Sequence, residues 1–346
     1  MEGVPPSFGA TSDPVAPVTD VRPPQPSPRQ PVARPPDSEP VPPVKPAAAP
    51  SISPDELVAR PVHGDSLLRR IGRGAVRPFV PAGDVQALAE HGRWIQHPVT
   101  TGRRIAVTSL YGGAGKSTLA ALIASVFARY RQDRVLALDL DPELGSLPLR
   151  LGIGAEHALA DLVDAEPGTA SFEQIQPYLA HLGGRLWGLA GTHGVPGGPD
   201  AALYRAAGIP LSRFFGVTVT DCGAGIHTEL HRVVLAAAHA QVLVAPTTGG
   251  AAGVGRVLDW MSANGLDGLA ERTLVVFTVQ SPHNDRLVDV PRAAQILAEV
   301  GVGAIKLGYD RHVAVGATLD PARLAYATRV TAIAVAAEAL RRSLTG

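Results

Sequence analysis

From residue 104 onward, the hydrophobic pattern alternates between short apolar runs and longer amphipathic segments. Runs of about five to seven residues rich in Val, Ile and Leu, bounded by Gly, Pro or Asp, are typical of strands in a parallel sheet. They predict strands at 104–109, 134–140, 217–221, 241–246, 273–279 and 303–308. The helical periodicity between them predicts helices at 116–130, 227–239, 251–263, 291–300 and 323–343. This alternation predicts an α/β fold with a mostly parallel, doubly wound sheet covered by helices on both faces.

The first 54 residues follow no such pattern. They hold 17 of the 32 prolines in the chain and contain no Leu, Trp or Tyr. A segment of this composition cannot bury enough apolar surface to offset its conformational entropy, so we predict a disordered, proline-rich arm. The arm is either a solvated spacer or a docking segment, since PPQPSP at 23–28 and PPVKP at 42–46 could bind in aromatic grooves of a protein partner.

Residues 55–100 form a lead-in segment with a basic centre. Between residues 60 and 79, five arginines accompany a single aspartate, with Leu and Ile interspersed, which predicts a short basic amphipathic helix. Such a helix could contact a membrane, DNA or a protein, or it could cover the core as an ordinary solvated helix. The spacing does not decide between these alternatives, and contact with membrane or DNA is not the favoured one. We therefore divide the chain into the arm at 1–54, this segment at 55–100 and a domain at 101–346.

A glycine-rich loop follows the first predicted strand, and residues 105–118 read IAVTSLYGGAGKST. Glycines let the backbone approach an anion, and the amides of the loop and of the next helix N-terminus carry partial positive charge. The loop predicts a phosphate-binding site in which Lys116 contacts the terminal phosphates and Ser117 binds Mg²⁺. The candidate nucleotide ligands are Gly112, Gly113, Ala114, Gly115, Lys116, Ser117 and Thr118.

Acidic residues end two further predicted strands. Asp139 and Asp141 lie at the end of VLALDLD, and Asp221 ends VTVTD. An acid after such an apolar strand matches a Walker B element, so we predict that Asp221 holds Mg²⁺. In this interpretation Asp139 or Asp141 orients the water that attacks the γ-phosphate, while Lys116 neutralises charge. ATP and Mg²⁺ are the predicted cofactors.

The net charge and the cysteine content indicate which partners and which cellular compartment to expect. With 31 acidic and 31 basic residues the formal net charge is zero, so no whole-molecule field attracts nucleic acid or an anionic membrane. Cys222 is the single cysteine and cannot form an internal disulfide, which fits a reducing compartment. We expect a cytoplasmic protein, with peripheral contact at a membrane as the alternative.

Two other patterns resemble sites but are not favoured as such. His227 and His231 in HTELH have a zinc-like spacing, yet the glutamate is not where H-E-x-x-H requires it and no third ligand is evident. The segment 330–344 has an alanine-rich face with only two arginines, which favours packing on the core over membrane contact. In residues 155–215 we find no convergent cluster of ionisable residues.

The order of the motifs resembles the MinD/ParA class of deviant Walker A ATPases. The loop is followed by DLDP at 139–142, DCGAGI at 221–226, VAPTTGG at 244–250 and LGYDRHVAVG at 307–316, as in that class. Within the class the chain is similar to the actinobacterial, EspI-like proteins that accompany type VII secretion, which also have proline-rich arms. The resemblance implies a P-loop NTPase fold, a homodimer in the ATP state and Asp141 as the water-orienting residue.

The chain departs from the family pattern K-G-G-x-G-K-[ST]-T at its first position. There the family has a lysine that reaches the phosphates of a dimer partner, whereas this chain has Tyr111. A phenol with a pKa near 10 is uncharged at neutral pH and cannot replace an ammonium group. The asparagine with which the family reads adenine is also absent, and Thr278 or Gln280 is the candidate in its place.

Three functions are compatible with these residues. The first is an ATPase that couples nucleotide state to partner association in positioning, partitioning or secretion, with slow or partner-stimulated hydrolysis. The second is a regulatory module that binds nucleotide and docks on a protein partner through the arm. It has little or no hydrolysis, because Tyr111 replaces the signature lysine. The third is an ATP-dependent small-molecule ligase of the same superfamily, with its substrate pocket in residues 155–215.

Overall fold

The structure is a computed structural model, and it describes residues 82–143, 145–154, 156–194, 197–284 and 288–345. The predicted arm at 1–54 and the predicted basic helix at 60–79 lie outside these residues. Within them, the dominant feature is one sheet of eight strands. The strands are β1 (Arg103–Ser109), β2 (Val135–Leu140), β3 (Ala180–His181), β4 (Leu186–Leu189), β5 (Val217–Ala224), β6 (Ala240–Pro246), β7 (Thr273–Thr278) and β8 (Gly303–Leu307).

The sheet confirms the predicted parallel architecture. Its strand order is β3-β4-β2-β5-β1-β6-β7-β8, and only the short β3 runs antiparallel to its neighbour β4. The central β1 lies between β5 and β6, so Ala106 is in register with Thr220 on one side and Gln241 on the other. Because the strands are parallel, their C-terminal ends meet along one margin, which we call the carboxyl end of the sheet. The opposite margin is the amino end.

Helices connect the strands and cover both faces. The helices are α1 (Ala82–Ile95), α2 (Lys116–Tyr130), α3 (Leu147–Leu151), α4 (Phe172–Ile175), α5 (Ala201–Leu203), α6 (Ile209–Leu211), α7 (Glu229–Ala237), α8 (Gly250–Ala263), α9 (Asp267–Ala270), α10 (Val290–Ala298), α11 (Arg311–Ala314) and α12 (Tyr326–Ser343). Short 3₁₀ segments and one π-helical turn (Tyr204–Gly208) complete the connections. Polar caps begin several helices: Thr228, Asp289 and Asp310 each accept an amide N–H from the first turn of α7, α10 and α11.

Two hydrophobic cores lie on the two faces of the sheet. Along β2, Leu136 and Leu138 pack into one core, whereas Val135 and Ala137 pack into the other. This alternation explains why the strand sequences are apolar throughout, since both faces of a parallel sheet are covered. The five predicted helices and six predicted strands are all present, with ends that differ by a few residues. Strands β3 and β4 were not predicted.

The C-terminal helix α12 packs on the core, as its alanine-rich face predicted. Val335, Ala336 and Leu340 are fully buried there, and the helix contacts α1, α2 and the strands β1 and β6 to β8. Helix α1 lies downstream of the helix predicted at 60–79 and was not itself predicted. Among the described residues, no helix has both the length and the apolar content needed to cross a bilayer.

Candidate functional site

The glycine-rich loop forms a tight connection between β1 and α2 at the carboxyl end of the sheet. Gly113 and Gly115 adopt positive φ angles of 68° and 93°, which favour glycine. A Cβ at Gly112 or Gly113 would meet no atom within 4 Å, so the loop backbone faces open space. Helix α2 begins directly at Lys116 with 15 residues. The loop therefore presents amide groups and a helix N-terminus to one concave surface, as an anion site requires.

Three side chains at the start of α2 are drawn into the protein. Lys116, Ser117 and Thr118 are only 7%, 8% and 4% exposed. A buried lysine needs negative charge nearby, because desolvation penalises an isolated ammonium group. The nearby charges are carboxylates, since the Lys116 ammonium acts to lower the pKa values of both Asp139 and Asp221. The structure thus brings the predicted lysine and aspartates together.

Asp221 carries the clearest sign that this site takes a ligand. Its side chain is fully buried in β5, and neither carboxylate oxygen has a hydrogen-bond partner among the described residues. Burial raises the pKa of Asp221 to about 7, opposed by the nearby Ser117 hydroxyl, which lies outside hydrogen-bonding geometry, and by Lys116. Unpaired buried carboxylate oxygens are costly, and oxygen ligands are those that Mg²⁺ prefers. Asp221 and Ser117 therefore fit the predicted metal.

Asp139 and Asp141 differ in their surroundings. Asp139 is directly in register with Asp221 on the neighbouring strand and is 2% exposed. Burial and the charge of Asp221 raise the pKa of Asp139 well above its usual value, and its Oδ1 accepts the amide N–H of Asp141 at 2.9 Å. Asp141 lies beyond the end of the strand and is half-buried, and its Oδ1 accepts the amide N–H of Glu143 at 3.1 Å. Asp139 thus fixes the backbone that carries the more accessible Asp141.

The two candidates for adenine binding contact the loop itself. The Thr278 hydroxyl donates a hydrogen bond to the Ala114 carbonyl at 2.8 Å, and the Gln280 amide donates to the Gly113 carbonyl. Both side chains thereby support the loop from the end of β7 and the residues after it. Their role in reading a base stays a prediction, whereas their contact with the loop backbone is a feature that the motif alone did not predict.

Tyr111 lies against helix α8. Its amide N–H donates to the Ser109 hydroxyl at 3.2 Å, and its side chain is 36% exposed. A Cβ built on Gly253 would lie 2.9 Å from both Cε2 and the hydroxyl oxygen of the Tyr111 ring. The absence of a side chain at Gly253 therefore makes room for the ring. At the position of the signature lysine, the chain has an uncharged side chain packed on its own helix.

Sequence reasoning missed a cluster of ionisable residues in the region 155–215. His193 Nε2 lies 3.0 Å from Asp161 Oδ1, and His157 Nδ1 lies 3.8 Å from Asp161 Oδ2. The expectation that this region has no such cluster was wrong, because His193 and Asp161 are 32 residues apart and only the fold joins them. An adjacent cavity of about 270 Å³ includes His157 in its lining.

A larger groove lies away from the loop. Its volume is about 910 Å³, and its lining includes Leu88 of α1, Val126 of α2 and Ile333 of α12. The groove touches the C-terminal half of α2 rather than the helix N-terminus at the loop. Its lining is mainly apolar and lacks the convergent buried charges found near Asp221. The chemistry of the molecule is therefore concentrated at the carboxyl end of the sheet.

Comparison with known proteins supports this location. Residues 105–307, more than half of the chain, match the CobQ/CobB/MinD/ParA nucleotide binding domain. The ESX-1 secretion-associated protein EspI of Mycobacterium tuberculosis is 32% identical over 221 residues, which cover 63% of this chain and 33% of that protein. The chain thus spans about a third of the length of that relative.

Two further matches extend the comparison. The chromosome-partitioning ATPase Soj of Thermus thermophilus is 36% identical over 112 residues, which cover 32% of this chain and 39% of that protein. The crystal structure of a ParA family ATPase from Chlorobium tepidum has a TM-score of 0.55 at 16% identity. That match covers 69% of this chain and 98% of the other, and it shows a common fold.

Proposed function

Because this chain belongs to the CobQ/CobB/MinD/ParA family of nucleotide-binding domains, we propose that it binds ATP with Mg²⁺ and couples its nucleotide state to association with a protein partner. The single observation that carries the proposal is Asp221. Its two unpaired, buried carboxylate oxygens lie at the carboxyl end of the sheet with Lys116 and Ser117, directly below a glycine-rich loop that is open to a ligand.

Each residue of the site has a role in this proposal. The amides from Gly112 to Thr118 bind the phosphate oxygens, and Lys116 neutralises the terminal phosphates. Ser117 and Asp221 hold Mg²⁺, which supplies charge neutralisation at the phosphates. Thr278 and Gln280 donate hydrogen bonds to carbonyl groups of the loop, and we assign contact with the base to the same two residues. Asp139, through its bond to the amide of Asp141, orients the segment that faces the terminal phosphate.

Hydrolysis requires a positioned water, and Asp141 is the residue we assign to it. Its carboxyl group is half-buried, so water can reach it, whereas the carboxyl group of Asp139 is packed against Gly145. The water oxygen forms a bond to the γ-phosphorus, the bond to the bridging oxygen breaks, and ADP and phosphate are the products. Asp141 holds the water through hydrogen bonds, and Lys116 stabilises the charge that develops.

The packing of Tyr111 supports slow hydrolysis, and it also favours the second candidate, a regulatory module with little hydrolysis. A neutral phenol seated against Gly253 offers no cation to the phosphates of a second protomer. Dimerisation in the ATP state can still occur in both cases. The two candidates differ in whether the protein hydrolyses bound ATP and releases phosphate.

The relatives suggest the setting of this activity. EspI is secretion-associated and Soj is a chromosome-partitioning ATPase, so we propose a role in secretion-associated regulation or in positioning. We place the protein on the cytoplasmic side of the membrane, and we assign capture of the protein partner to the proline-rich residues 1–54. The basic residues 60–79 are a further contact segment, with membrane or DNA as less favoured targets.

Nucleotide binding is tested by titrating the full chain with ATP in a calorimeter, with and without Mg²⁺. We expect Mg²⁺-dependent binding that weakens about 100-fold or more in Lys116→Ala, because the charged hydrogen bonds to phosphate are lost. Lys306→Ala is the matched lysine control, since Lys306 lies on β8 away from the loop, and we expect its affinity to stay within about twofold. Equal affinities of the wild-type chain and Lys116→Ala would contradict the proposed site.

Phosphate release separates the two candidates. We expect slow release by the wild-type chain and a rise of about tenfold or more in Tyr111→Lys, because an ammonium group at this position can neutralise phosphate charge. The measurement is steady-state phosphate release with light-scattering detection of dimers, and Tyr111→Met is the uncharged control. No release above the Lys116→Ala background in wild type or in Tyr111→Lys would exclude the ATPase and favour the regulatory module.

A further inference from the structure

A buried histidine lies behind residues 223–225, which we call the Gly223–Gly225 turn: Gly223 and Ala224 are the last residues of β5, and Gly225, with a φ of 89°, follows the strand. His231 is in the first turn of α7 and is 3% exposed. Its Nε2 lies 3.2 Å from the carbonyl oxygen of Gly223, two residues after Asp221, and its Nδ1 lies 2.7 Å from the Thr228 hydroxyl. Both ring nitrogens are therefore engaged in hydrogen bonds.

The hydrogen bonds determine which ring nitrogen carries the proton. The Gly223 carbonyl can only accept, so Nε2 must carry a hydrogen and donate it. The Thr228 hydroxyl oxygen accepts the amide N–H of His231 at 3.2 Å and is free to donate its own proton to Nδ1. The neutral ring with hydrogen on Nε2 satisfies every group, and burial, which lowers the pKa of His231, favours that neutral form.

The turn held by His231 also touches the other parts of the site. A Cβ on Gly223 would lie 2.9 Å from Pro142 Cδ, so the Gly223 backbone packs directly on the segment that carries Asp141. Two residues further on, the Gly225 amide N–H donates to the Ser109 carbonyl, at the start of the glycine-rich loop, at 3.0 Å. The Gly223–Gly225 turn therefore connects the loop, Asp221 and Asp141, and His231 supports it from α7.

Helix α7 extends this connection to the surface. It packs against α5 and the π-helical turn that follows, and Glu229 at its start pairs with Arg205 at 3.1 Å. Any displacement of the turn at Gly223 must therefore be accommodated by His231 or passed to α7, because protein interiors are closely packed.

We propose that His231 is a positioning residue that holds the Gly223–Gly225 turn in register with Asp221 and Asp141 and passes nucleotide-dependent shifts of this turn to helix α7. The inference rests on the proposed Mg·ATP site and adds a residue that contacts neither nucleotide nor metal. His231 acts through one hydrogen bond, which it donates to a backbone carbonyl group.

The experiment compares His231→Leu with His231→Gln and uses His227→Gln as the matched control. Leucine removes the donor, glutamine keeps an N–H group near the position of Nε2, and His227 is exposed on the same segment with its ring near Trp260. Calorimetry measures the affinity for ATP with Mg²⁺ and with EDTA. Hydrogen exchange measures the amides of Cys222 to Gly225 without nucleotide and with Mg·ATP, and exchange in α7 reports transmission.

In His231→Leu we expect Mg²⁺-dependent affinity to fall about tenfold, as for other outer supports of metal sites, while affinity in EDTA stays unchanged. Exchange of the turn amides should be faster even without nucleotide, and the Mg·ATP-induced protection of α7 should be lost. His231→Gln should recover most of each effect, and His227→Gln should match the wild-type chain. A folded His231→Leu with wild-type exchange and Mg²⁺-dependent affinity would overturn the inference.

The two proposals can fail separately. If the wild-type chain does not bind Mg·ATP, the proposed function fails, and the nucleotide-free exchange of the turn still tests whether His231 supports it. If the wild-type chain binds Mg·ATP but the variants of His231 leave both binding and exchange unchanged, only the role of His231 fails. Should His231→Leu not fold, His231→Gln against His227→Gln provides the same comparison.

Discussion

Both ends of the central sheet contain buried charged side chains, but the hydrogen-bond partners of these side chains differ between the two ends. At the amino end, the Arg104 guanidinium donates to the Ala237 carbonyl at 2.7 Å and to the Ser212 hydroxyl at 3.3 Å. Arg131 there donates to the His97 carbonyl and pairs through two nitrogens with Asp133. At the carboxyl end, the oxygens of Asp221 have no hydrogen-bond partner among the residues that the structure describes.

This difference distinguishes a structural charge from one that awaits a ligand. A buried charge with complete partners stabilises a fold in one arrangement, whereas a buried charge without them lowers stability until a ligand supplies the missing interactions. The apolar groove near α12 has a volume of about 910 Å³, yet it lacks such a charge. A fully buried carboxylate without partners, rather than a large volume, therefore marks this site; at the amino end Arg103 Nε also lacks a partner, but the Arg103 side chain is only half-buried.

The strongest test of the comparison is the pH dependence of stability without Mg²⁺. Because burial raises the pKa of Asp221 to about 7, the folded state binds this proton more tightly than the unfolded chain does. The stabilisation of the folded state by this proton is fully present below about pH 4 and is lost as pH rises through about 7. The free energy of unfolding falls by at most about 4 kcal/mol over this range. We expect Asp221→Asn to remove this loss in denaturant titrations run in EDTA from pH 4 to 8.

At the amino end, His239 gives the free energy of unfolding a pH dependence of the opposite sign. The same titrations must distinguish it from the effect of Asp221. Burial and the charge of Arg104 lower the pKa of His239 to about 4, so its contribution is present above about pH 6.5 and is lost as pH falls through 4. His239→Asn keeps an acceptor for the Arg104 amide and should remove this slope alone. If Asp221→Asn and the wild-type chain have parallel pH profiles, the Asp221 carboxyl group does not destabilise the fold when it ionises.

A second test asks whether the amino end is only structural. We expect Arg131→Met to lower the free energy of unfolding by about 3 kcal/mol, near the lower end for breaking a buried ion pair, because Asp133 keeps some contact with water. Denaturant titration measures the stability, and calorimetry should show ATP affinity within about twofold of wild type. A folded Arg131→Met with tenfold weaker ATP binding would mean that the two ends are coupled.

The smallest expected effect concerns the apolar contact between Tyr111 and Gly253 at the carboxyl end. Replacing an exposed helical glycine by alanine gains about 1 kcal/mol, and Gly255→Ala, where a Cβ meets open space, should show that gain. Gly253→Ala should show little or none of it, because the Tyr111 ring must move. In a Tyr111→Ala background Gly253→Ala should recover part of that gain, because its Cβ would still lie 3.2 Å from Leu110 Cδ2, and a double-mutant cycle by thermal unfolding measures the difference.

That cycle also has a clear contrary outcome. If Gly253→Ala stabilises the wild-type chain as much as Gly255→Ala does, the ring of Tyr111 moves without cost. Tyr111 would then not be held on α8, and its lack of charge alone would account for any absence of phosphate release.

The motif-bearing part of the site could be predicted from sequence because its signals are local. The loop from Gly112 to Thr118 joins a strand directly to a helix, and the aspartates lie at the ends of two apolar runs, Asp139 and Asp141 in one and Asp221 in the other. Such signals need no knowledge of distant partners. Strand β4 was missed because LWGL is four residues long and is preceded by two glycines, so it does not stand out from its surroundings as a strand.

Contacts between distant segments could not be predicted in this way. The bonds from Thr278 to Ala114 and from His231 to Gly223 join residues whose separation, pattern and type are unremarkable in the sequence. The same holds for the cluster of His157, Asp161 and His193, and for the match between Tyr111 and Gly253. Each depends on how helices are placed over the sheet, and that placement is a property of the packed core.

By itself, the sequence determined the parallel α/β fold, the glycine-rich loop between β1 and α2 and the positions of the three aspartates, because short-range geometry and hydrophobic periodicity encode them. Only the tertiary structure decided that Asp221 is buried without partners, that Asp139 is a support for Asp141, and that Tyr111 is packed on α8. The physical reason is that pairing and desolvation of a charge depend on all the groups that surround it in space, and those groups come from distant parts of the chain.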